Sequence, residues 1–384
     1  MDSDSQSNQA ERPRAGLVLP GGGARGAYQV GVLRAISDFA CTDRNPFPVI
    51  TGASVGAINA AFIASQACNF KSGTERLVEL WSRLHVCDVY RTDFPSIASC
   101  GLRWMLSLTF GGLRIANPKS FLDNEPLARL LTNNLNLPLI DDAIERGELR
   151  AVGVTASSYD RSRAVTFFRG TSDLIDWQRA LRAGTSCRLS VDHIMASLSL
   201  PFMFPAHCIG SEYFGDGSLR LTAPLSPAIR LGADRILVIG LRDPKHNDPP
   251  TSSSIVSYPT FGSLSGYLLD LIFMDNLDAD IERLRRINDT LALLDAAKKE
   301  QCQLRHIEIM TMTPSKQLSE IAGRHAHEMP WTIRMLMRGI GAWDTEWRLP
   351  SYLLFEPSYI RELLDLGYSD AMSKRDALVD FLRL

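Results

Sequence analysis

The chain has 384 residues, 45% of them hydrophobic, and a formal net charge of −2 at pH 7. This length allows one large domain or two ordinary ones, and the composition is that of a globular protein with a sizeable core. With a net charge so close to zero, no basic footprint argues for nucleic-acid binding, so we expect no nucleic-acid partner.

The beginning of the sequence predicts no folded element. Residues 1–14 are polar and lack the apolar run of a secretory signal, so we expect a disordered tail there. The seven cysteines are scattered without a C-x-x-C pair, which indicates reduced thiols and a cytoplasmic protein. Whether the protein also makes peripheral contact with the inner face of the membrane stays open. Residues 45–70 carry no charge, but prolines and glycines interrupt them, which favours a strand, a turn and a buried helix over a membrane span.

The first elements predict a strand–helix–strand unit. Residues 15–20 are a short apolar run that predicts a buried strand, and the apolar spacing after Tyr28 predicts one face of a helix. Residues 47–53 predict a second strand. Strands of such a unit are parallel, with a right-handed crossover, and adjacent ones end at the same edge of the sheet. The glycines at 21–26 are then expected to lie beside whatever follows residue 53.

Later strands are predicted at 149–158, 164–170, 234–241 and 305–314. Residues 70–150 read as mostly helical, residues 242–265 as a linker or long loop, and the chain is helical again from residue 267. The last strand is expected to complete the same sheet. We therefore expect an α/β fold, a three-layer α/β/α sandwich with a mostly parallel central sheet.

The glycine-rich loop allows two interpretations. Gly21, Gly23 and Gly26 have the G-x-G-x-x-G spacing of a dinucleotide-binding loop. Such a loop needs an acidic residue at the end of the second strand, but that strand ends in T-G-A. We therefore expect the backbone amides to face a nucleophile instead, with Gly22 and Gly23 as candidates for an oxyanion hole.

That nucleophile is predicted directly after the second strand. The sequence from Gly52 to Gly56 is a G-x-S-x-G motif between a predicted strand and a predicted helix. A sharp turn there would hold Ser54 in a sparsely allowed conformation, and the two glycines would provide the room. The dipole of the following helix would favour developing negative charge. The alternative is a chance occurrence of the motif.

A serine nucleophile needs a base, and the residues alone offer two candidates. His207 is the histidine of most interest, although it has no recognisable local motif. Asp216 lies between glycines after a short apolar run, where Asp-Gly is more often a plain hairpin turn. His325 and His327 suggest a metal site, but two such ligands on a polar turn are more often surface residues, and we expect no metal.

These motifs together resemble those of the patatin-like phospholipases. The chain has G-G-G-A-R-G at 21–26, the serine motif around Ser54, A-S-L-S-L-P-F-M-F-P at 196–205 and D-G-S at 216–218. It departs from the family pattern at Ala206, where a second proline is common, and at the serine of D-G-S, where the family has Gly or Ala.

The resemblance covers residues 15–241 and implies a Ser-Asp dyad of Ser54 and Asp216. The implied oxyanion-hole and elbow residues are Gly21, Gly22, Gly23, Arg25, Gly26, Gly52 and Gly56. For Arg25 the residues leave three roles open, namely a contact for a lipid phosphate, a brace for the loop or an ordinary solvated or ion-paired side chain. No metal or organic cofactor is implied.

The implied activity is that of a serine hydrolase of carboxylic esters in phospholipids or lysophospholipids. The alternatives are an acyltransferase or acylglycerol lipase with the same serine, and a non-catalytic nucleotide-binding or scaffold protein. We expect a catalytic domain at 15–245 and, as in bacterial members, a linker and mainly helical extension at 246–384 packed on it. Residues 94–113 fit a lid or a core helix. The oligomeric state stays open.

Overall fold

The computed structural model describes residues 14–40, 43–95, 120–244, 258–295, 304–343 and 347–384, together with positions 99, 106, 298 and 301. The predicted N-terminal tail lies almost wholly outside the described residues. The same is true of most of the segment 94–113, so its prediction as a lid or a core helix stays untested. The division of the chain into two domains also stays a prediction.

Ten strands of the described residues form one sheet. They are β1 (Ala15–Leu19), β2 (Val49–Ala53), β3 (Ala151–Ser158), β4 (Arg163–Gly170), β5 (Trp177–Gln178), β6 (Arg182–Ser186), β7 (His207–Ile209), β8 (Glu212–Gly215), β9 (Arg235–Ile239) and β10 (Glu308–Met312). The order is β10-β9-β1-β2-β3-β4-β6-β5, with β8 paired to β3 and β7 paired to β8. The five strands from β10 to β3 are mutually parallel, and β4 is antiparallel to β3.

Pairing between β1 and β2 sets the position of the two glycine motifs. Their register runs from Gly16 opposite Val49 to Leu19 opposite Gly52, so both strands end at the same edge of the sheet. The loop at 21–26 and Ser54 therefore emerge side by side, as the strand–helix–strand prediction requires.

Fifteen α-helices lie among the described residues. They are α1 (Ala27–Phe39), α2 (Val55–Ser65), α3 (Phe70–Ser82), α4 (Val86–Val89), α5 (Glu125–Asn134), α6 (Leu139–Glu145), α7 (Val191–Leu198), α8 (Ser226–Arg230), α9 (Phe261–Asp270), α10 (Asn276–Ala292), α11 (Leu318–His325), α12 (Trp331–Gly339), α13 (Arg348–Leu353), α14 (Pro357–Ser373) and α15 (Arg375–Leu382). A π-helical turn, Leu271–Asp275, joins α9 to α10.

Apolar side chains fill both faces of the sheet. The larger cluster joins one face to α1, α2, α3 and α14, and the smaller one joins the opposite face to α8 and α10. Strands β1, β2 and β9 are buried at every position, because helices cover them on both sides. These layers confirm the predicted α/β/α sandwich with a mostly parallel sheet.

Helix α1 is buried on more than the one face that its sequence predicts. The exposed positions within it are Arg34 and Asp38. Its second face packs on α14, where a Cβ atom at Gly31 would lie 2.1 Å from the Leu364 carbonyl oxygen. A Cβ atom at Gly367 in α14 would lie 2.2 Å from the Tyr28 carbonyl oxygen of α1. Glycine thus allows the two backbones to touch.

Two sequence predictions need correction. The predicted loop at 242–265 ends earlier, because α9 begins at Phe261 with the Thr260 hydroxyl accepting a hydrogen bond from the Ser263 N–H. The four short strands β5, β6, β7 and β8 were not predicted from the sequence. The late strand is confirmed, since β10 pairs with β9 in the same sheet.

None of the described helices has the length and apolar character needed to cross a bilayer.

Candidate active site

Ser54 lies in a sharp turn between β2 and α2. Its backbone has φ 52° and ψ −131°, a conformation that residues other than glycine rarely adopt, and such positions cost about 1–3 kcal/mol each. A Cβ atom at Gly52 would lie 2.1 Å from the Gly56 carbonyl oxygen, and one at Gly56 would lie 1.9 Å from the Leu19 carbonyl oxygen. Both glycines are therefore required for the turn, as the motif predicts.

A second serine supports this turn. The Ser54 N–H donates a hydrogen bond of 2.9 Å to Ser197 Oγ. The Ser197 hydroxyl in turn donates to the Thr155 carbonyl oxygen at 2.6 Å, which ties the turn to strand β3. Ser197 was not among the predicted site residues. Its position within the A-S-x-x-x-P segment was the available signal.

Asp216 follows β8 and caps a short 3-10 helix, Gly217–Leu219. Its Oδ1 atom accepts a hydrogen bond of 2.8 Å from the Ser218 N–H, and its own N–H donates to the Ser199 carbonyl oxygen at 2.8 Å. Asp216 is therefore not part of a hairpin turn. The turn between β7 and β8 is instead at Gly210, which has φ 62°.

The Asp216 carboxylate is fully buried, and this burial raises its pKa to about 6. The hydroxyls of Ser54 and Ser218 and the Ser218 N–H act in the opposite direction, because they stabilise the charged form. By hydrogen-bond geometry the buried Oδ2 atom has no partner, although the Ser54 hydroxyl is close enough to stabilise the charge of the carboxylate. The carboxylate thus has one oxygen fixed by the backbone and one oxygen free to accept a proton.

The loop after β1 presents backbone N–H groups beside Ser54. In the described part of the chain, no backbone hydrogen bond uses the N–H of Gly22 or Gly23 as donor. Gly23 has φ 56° and lines the same cavity as Ser54 and Asp216. These two N–H groups belong to the start of a 3-10 helix, Gly23–Gly26, where the first donors have no partner within the helix.

The other loop residues have different surroundings. A Cβ atom at Gly21 would lie 2.6 Å from Phe273, and one at Gly26 would lie 2.8 Å from Val55, so both glycines allow close packing. The Arg25 N–H donates to the Gly22 carbonyl oxygen at 3.2 Å and is not available as an oxyanion donor. The prediction of Arg25 as an oxyanion-hole residue therefore needs correction.

Arg25 is a buried and ion-paired side chain with 1% of its surface exposed. Its Nη2 atom lies 3.5 Å from Asp243 Oδ2, and its Nη1 atom lies 3.6 Å from Asp270 Oδ1. Its guanidinium stacks over the Tyr352 ring at 4.2 Å. Among the roles that the sequence left open, this geometry fits a brace for the loop. A side chain so enclosed has no surface for a lipid phosphate.

An apolar cavity extends from Ser54 and Asp216. It has a volume of about 60 Å³, and its polar surface is small. Its walls come from several helices and from the segments around Leu200 and Phe355. The apolar lining residues are Val55, Ile58, Leu80, Trp81, Leu84, Val89, Leu127, Leu130, Leu131, Leu198, Leu200, Met203, Phe204, Leu269, Phe273, Leu353 and Phe355. No sequence pattern predicted the part of this wall that α9 and α13 provide.

No described histidine lines this cavity. His207 instead pairs with Asp192 at 3.1 Å, close to the surface. His325 lies between two glutamates, and His327 contacts the Arg324 carbonyl oxygen. The histidine alternative for the base therefore has no support in the described geometry.

A match to a family sequence model identifies the family. The sequence model of the patatin-like phospholipases matches residues 17–229, which is more than half of the chain. The chain therefore belongs to the patatin-like phospholipase family, as its four motifs predict.

Individual relatives are more distant or match short stretches. Over 52 residues the chain is 48% identical to lysophospholipase nte1 of Aspergillus terreus, which is 14% of this chain and 3% of that protein. VipD from Legionella pneumophila aligns over 95% of this chain and 67% of its own, with 11% identity and a TM-score of 0.35. Human GIVD cytosolic phospholipase A2 aligns over 97% of this chain and 60% of its own, with 12% identity and a TM-score of 0.45. The chain thus spans a small part of the curated relative that it matches.

Proposed function

We propose that this protein hydrolyses carboxylic ester bonds of lipids of the phospholipid or lysophospholipid class, with Ser54 as nucleophile and Asp216 as base. The observation that carries the proposal is the buried, unpartnered Oδ2 atom of Asp216 at the cavity that Ser54 also lines. Family membership supports the same assignment.

The acylation step uses the free oxygen of Asp216. The Ser54 Oγ atom attacks the ester carbonyl carbon while its proton passes to Asp216 Oδ2. A pKa of about 6 makes this carboxylate a stronger base than an ordinary aspartate, yet leaves it ionised at neutral pH. The oxyanion of the tetrahedral intermediate accepts hydrogen bonds from Gly22 and Gly23 N–H, and the dipole of α2 adds to this stabilisation.

The intermediate collapses in a way that restores the base. The C–O bond to the alcohol breaks, and the leaving alkoxide takes the proton from Asp216. Water then attacks the acyl group on Ser54 while Asp216 accepts its proton. Collapse of this second intermediate returns the proton to the serine oxygen and releases the fatty acid. An acyltransferase would differ only in having an alcohol in place of water.

The cavity favours an acyl chain over a nucleotide. Its lining is almost entirely apolar, which stabilises methylene groups by about 0.8 kcal/mol each. A pyrophosphate at the glycine loop would instead face the buried Asp216 carboxylate and would be repelled.

The direct test is turnover of p-nitrophenyl esters from butyrate to palmitate, and of palmitoyl lysophosphatidylcholine, by the purified chain and two variants. We expect Ser54→Ala to abolish turnover and Asp216→Asn to lower kcat about 10²–10⁴-fold. Fatty acid released from the lysolipid is measured by mass spectrometry.

Matched variants exist for both changes. Ser65→Ala removes a buried serine at the end of α2, whose hydroxyl donates to the Phe62 carbonyl oxygen. Asp280→Asn removes another buried aspartate, which accepts a hydrogen bond from the Leu225 N–H and whose pKa burial also raises. Both controls should keep wild-type turnover. Full activity in Asp216→Asn would remove Asp216 from the mechanism, and tight nucleotide binding without turnover would favour the non-catalytic alternative.

A further inference from the structure

Tyr352 contacts the glycine loop from a part of the chain outside the family match. It lies in α13, more than a hundred residues beyond the matched range 17–229. Its side chain lines the same cavity as Ser54. A Cβ atom at Gly23 would lie 2.2 Å from the Tyr352 carbonyl oxygen, so the α13 backbone touches the loop at one of the two proposed oxyanion donors.

The Tyr352 ring stacks with one side chain of the glycine loop and with one side chain that packs against it. The Arg25 guanidinium lies over the ring at 4.2 Å. Phe273 stacks on the ring with centroids 5.5 Å apart, and Phe273 also packs against Gly21. The ring thus contacts both an apolar residue of the cavity wall and a buried charge.

The Tyr352 hydroxyl fixes one carboxylate of that charged group. It donates a hydrogen bond of 2.6 Å to Asp270 Oδ1, and the same oxygen lies 3.6 Å from Arg25 Nη1. Arg25 Nε also donates to the Ser351 hydroxyl at 2.9 Å. A guanidinium buried to this degree stays in place only if its counter-charges are held in good geometry.

Arg25 connects this group to the proposed oxyanion donors. Its N–H donates to the Gly22 carbonyl oxygen, which belongs to the same peptide unit as the Gly23 N–H. A shift of Arg25 would therefore rotate that peptide and move the Gly23 N–H. Misplacement of a catalytic group by about 1 Å costs as much as a hundredfold in rate.

We propose that Tyr352 is a positioning residue for the oxyanion loop, acting through Asp270 and Arg25 on the Gly22–Gly23 peptide. The proposal rests on the proposed function, since it assumes that this loop holds the oxyanion. It makes the C-terminal part of the chain a functional component of the active site.

The test compares Tyr352→Phe with Tyr90→Phe in the full-length chain. Both changes remove one buried hydroxyl and keep the ring, and the Tyr90 hydroxyl donates to the Leu353 carbonyl oxygen without lining the cavity. We expect kcat for p-nitrophenyl esters to fall about tenfold to a hundredfold in Tyr352→Phe with KM unchanged, because the apolar walls remain. Tyr90→Phe should keep the wild-type kcat.

Asp270→Asn is the second variant. It keeps an oxygen that accepts from the Tyr352 hydroxyl but removes the charge that faces Arg25. We expect a similar loss of kcat, and the double variant should lose no more than the larger single effect, because both changes act on one path.

Each result is decisive for one proposal. Equal kcat values for Tyr352→Phe and Tyr90→Phe, or fully additive losses in the double variant, would overturn the positioning role while the hydrolase remained active. A wild-type chain without any ester turnover would instead overturn the proposed function itself.

Discussion

The N–H of Ser54 donates its hydrogen bond to the hydroxyl of Ser197, a residue 143 positions later in the chain. The Ser197 hydroxyl in turn donates a hydrogen bond to the Thr155 carbonyl oxygen of β3. The strained turn at the proposed nucleophile is therefore held by a side chain from α7 as well as by its own glycines.

Replacing this serine should impair catalysis more than it impairs folding. Ser197→Ala leaves the buried Ser54 N–H without an acceptor, at a cost of about 1–3 kcal/mol, and frees the turn to shift. We expect kcat for p-nitrophenyl esters to fall at least about tenfold. The control is Ser199→Ala, which removes a buried hydroxyl that donates to Met195. Equal kcat values in the two variants would contradict this role of Ser197.

The pH dependence of the reaction follows from the raised pKa of Asp216. In the proposed mechanism the Asp216 carboxylate accepts a proton from Ser54, so it must be ionised in the free enzyme. Burial raises its pKa to about 6, and kcat/KM should therefore rise through pH 6 and reach a plateau above pH 7. A profile measured between pH 4 and 9 tests this. An acid limb near pH 4 would mean that the group has an ordinary carboxyl pKa.

Removing the charge of the Asp216 carboxylate should stabilise the fold at neutral pH. The folded-state pKa of about 6 exceeds the ordinary value of 3.8, so the carboxylate opposes folding once it ionises. The cost grows as pH rises from about 4 to about 6 and then stays at about 3 kcal/mol. In urea unfolding, Asp216→Asn should be more stable than wild type at pH 8 and nearly equal at pH 4. Equal stability at both pH values would contradict the burial of an ionised carboxylate.

The glycine after the proposed nucleophile is required by the backbone. A Cβ atom at Gly56 would overlap the Leu19 carbonyl oxygen, so Gly56→Ala should lower the free energy of unfolding by about 1–3 kcal/mol or more. Gly339 is the matched helical control, because a Cβ atom there would meet nothing within 4 Å. Gly339→Ala should leave stability unchanged or raise it. A neutral Gly56→Ala variant would contradict the close contact of α2 with β1.

The local sequence pattern predicted the part of the site that β1, β2 and the residues directly after them form. Strands β1 and β2 are short apolar runs that end in glycines, and parallel pairing then brings the loop at 21–26 beside Ser54. These relationships depend on neighbouring residues and on rules for strand–helix–strand units. They were therefore predictable without the structure, and so was the mostly parallel sheet.

The C-terminal contribution was not predictable in this way. Tyr352 and Phe273 reach the loop through tertiary packing, and no periodicity or motif in the sequence connects them to residues 21–26. The burial of Arg25 escaped prediction for the same reason, since an arginine at the start of a helix is usually solvated. Its counter-charge Asp243 lies in a stretch that the sequence indicated to be a loop.

The most direct measurement is the location and rate of covalent labelling by a long-chain alkyl fluorophosphonate. The central claim is that Ser54 is the nucleophile and that Asp216 activates it. We expect a single adduct on the tryptic peptide 45–71 at Ser54, no adduct in Ser54→Ala, and labelling slowed by about 10²-fold or more in Asp216→Asn. An adduct on another serine, or an unchanged rate in Asp216→Asn, would contradict the account.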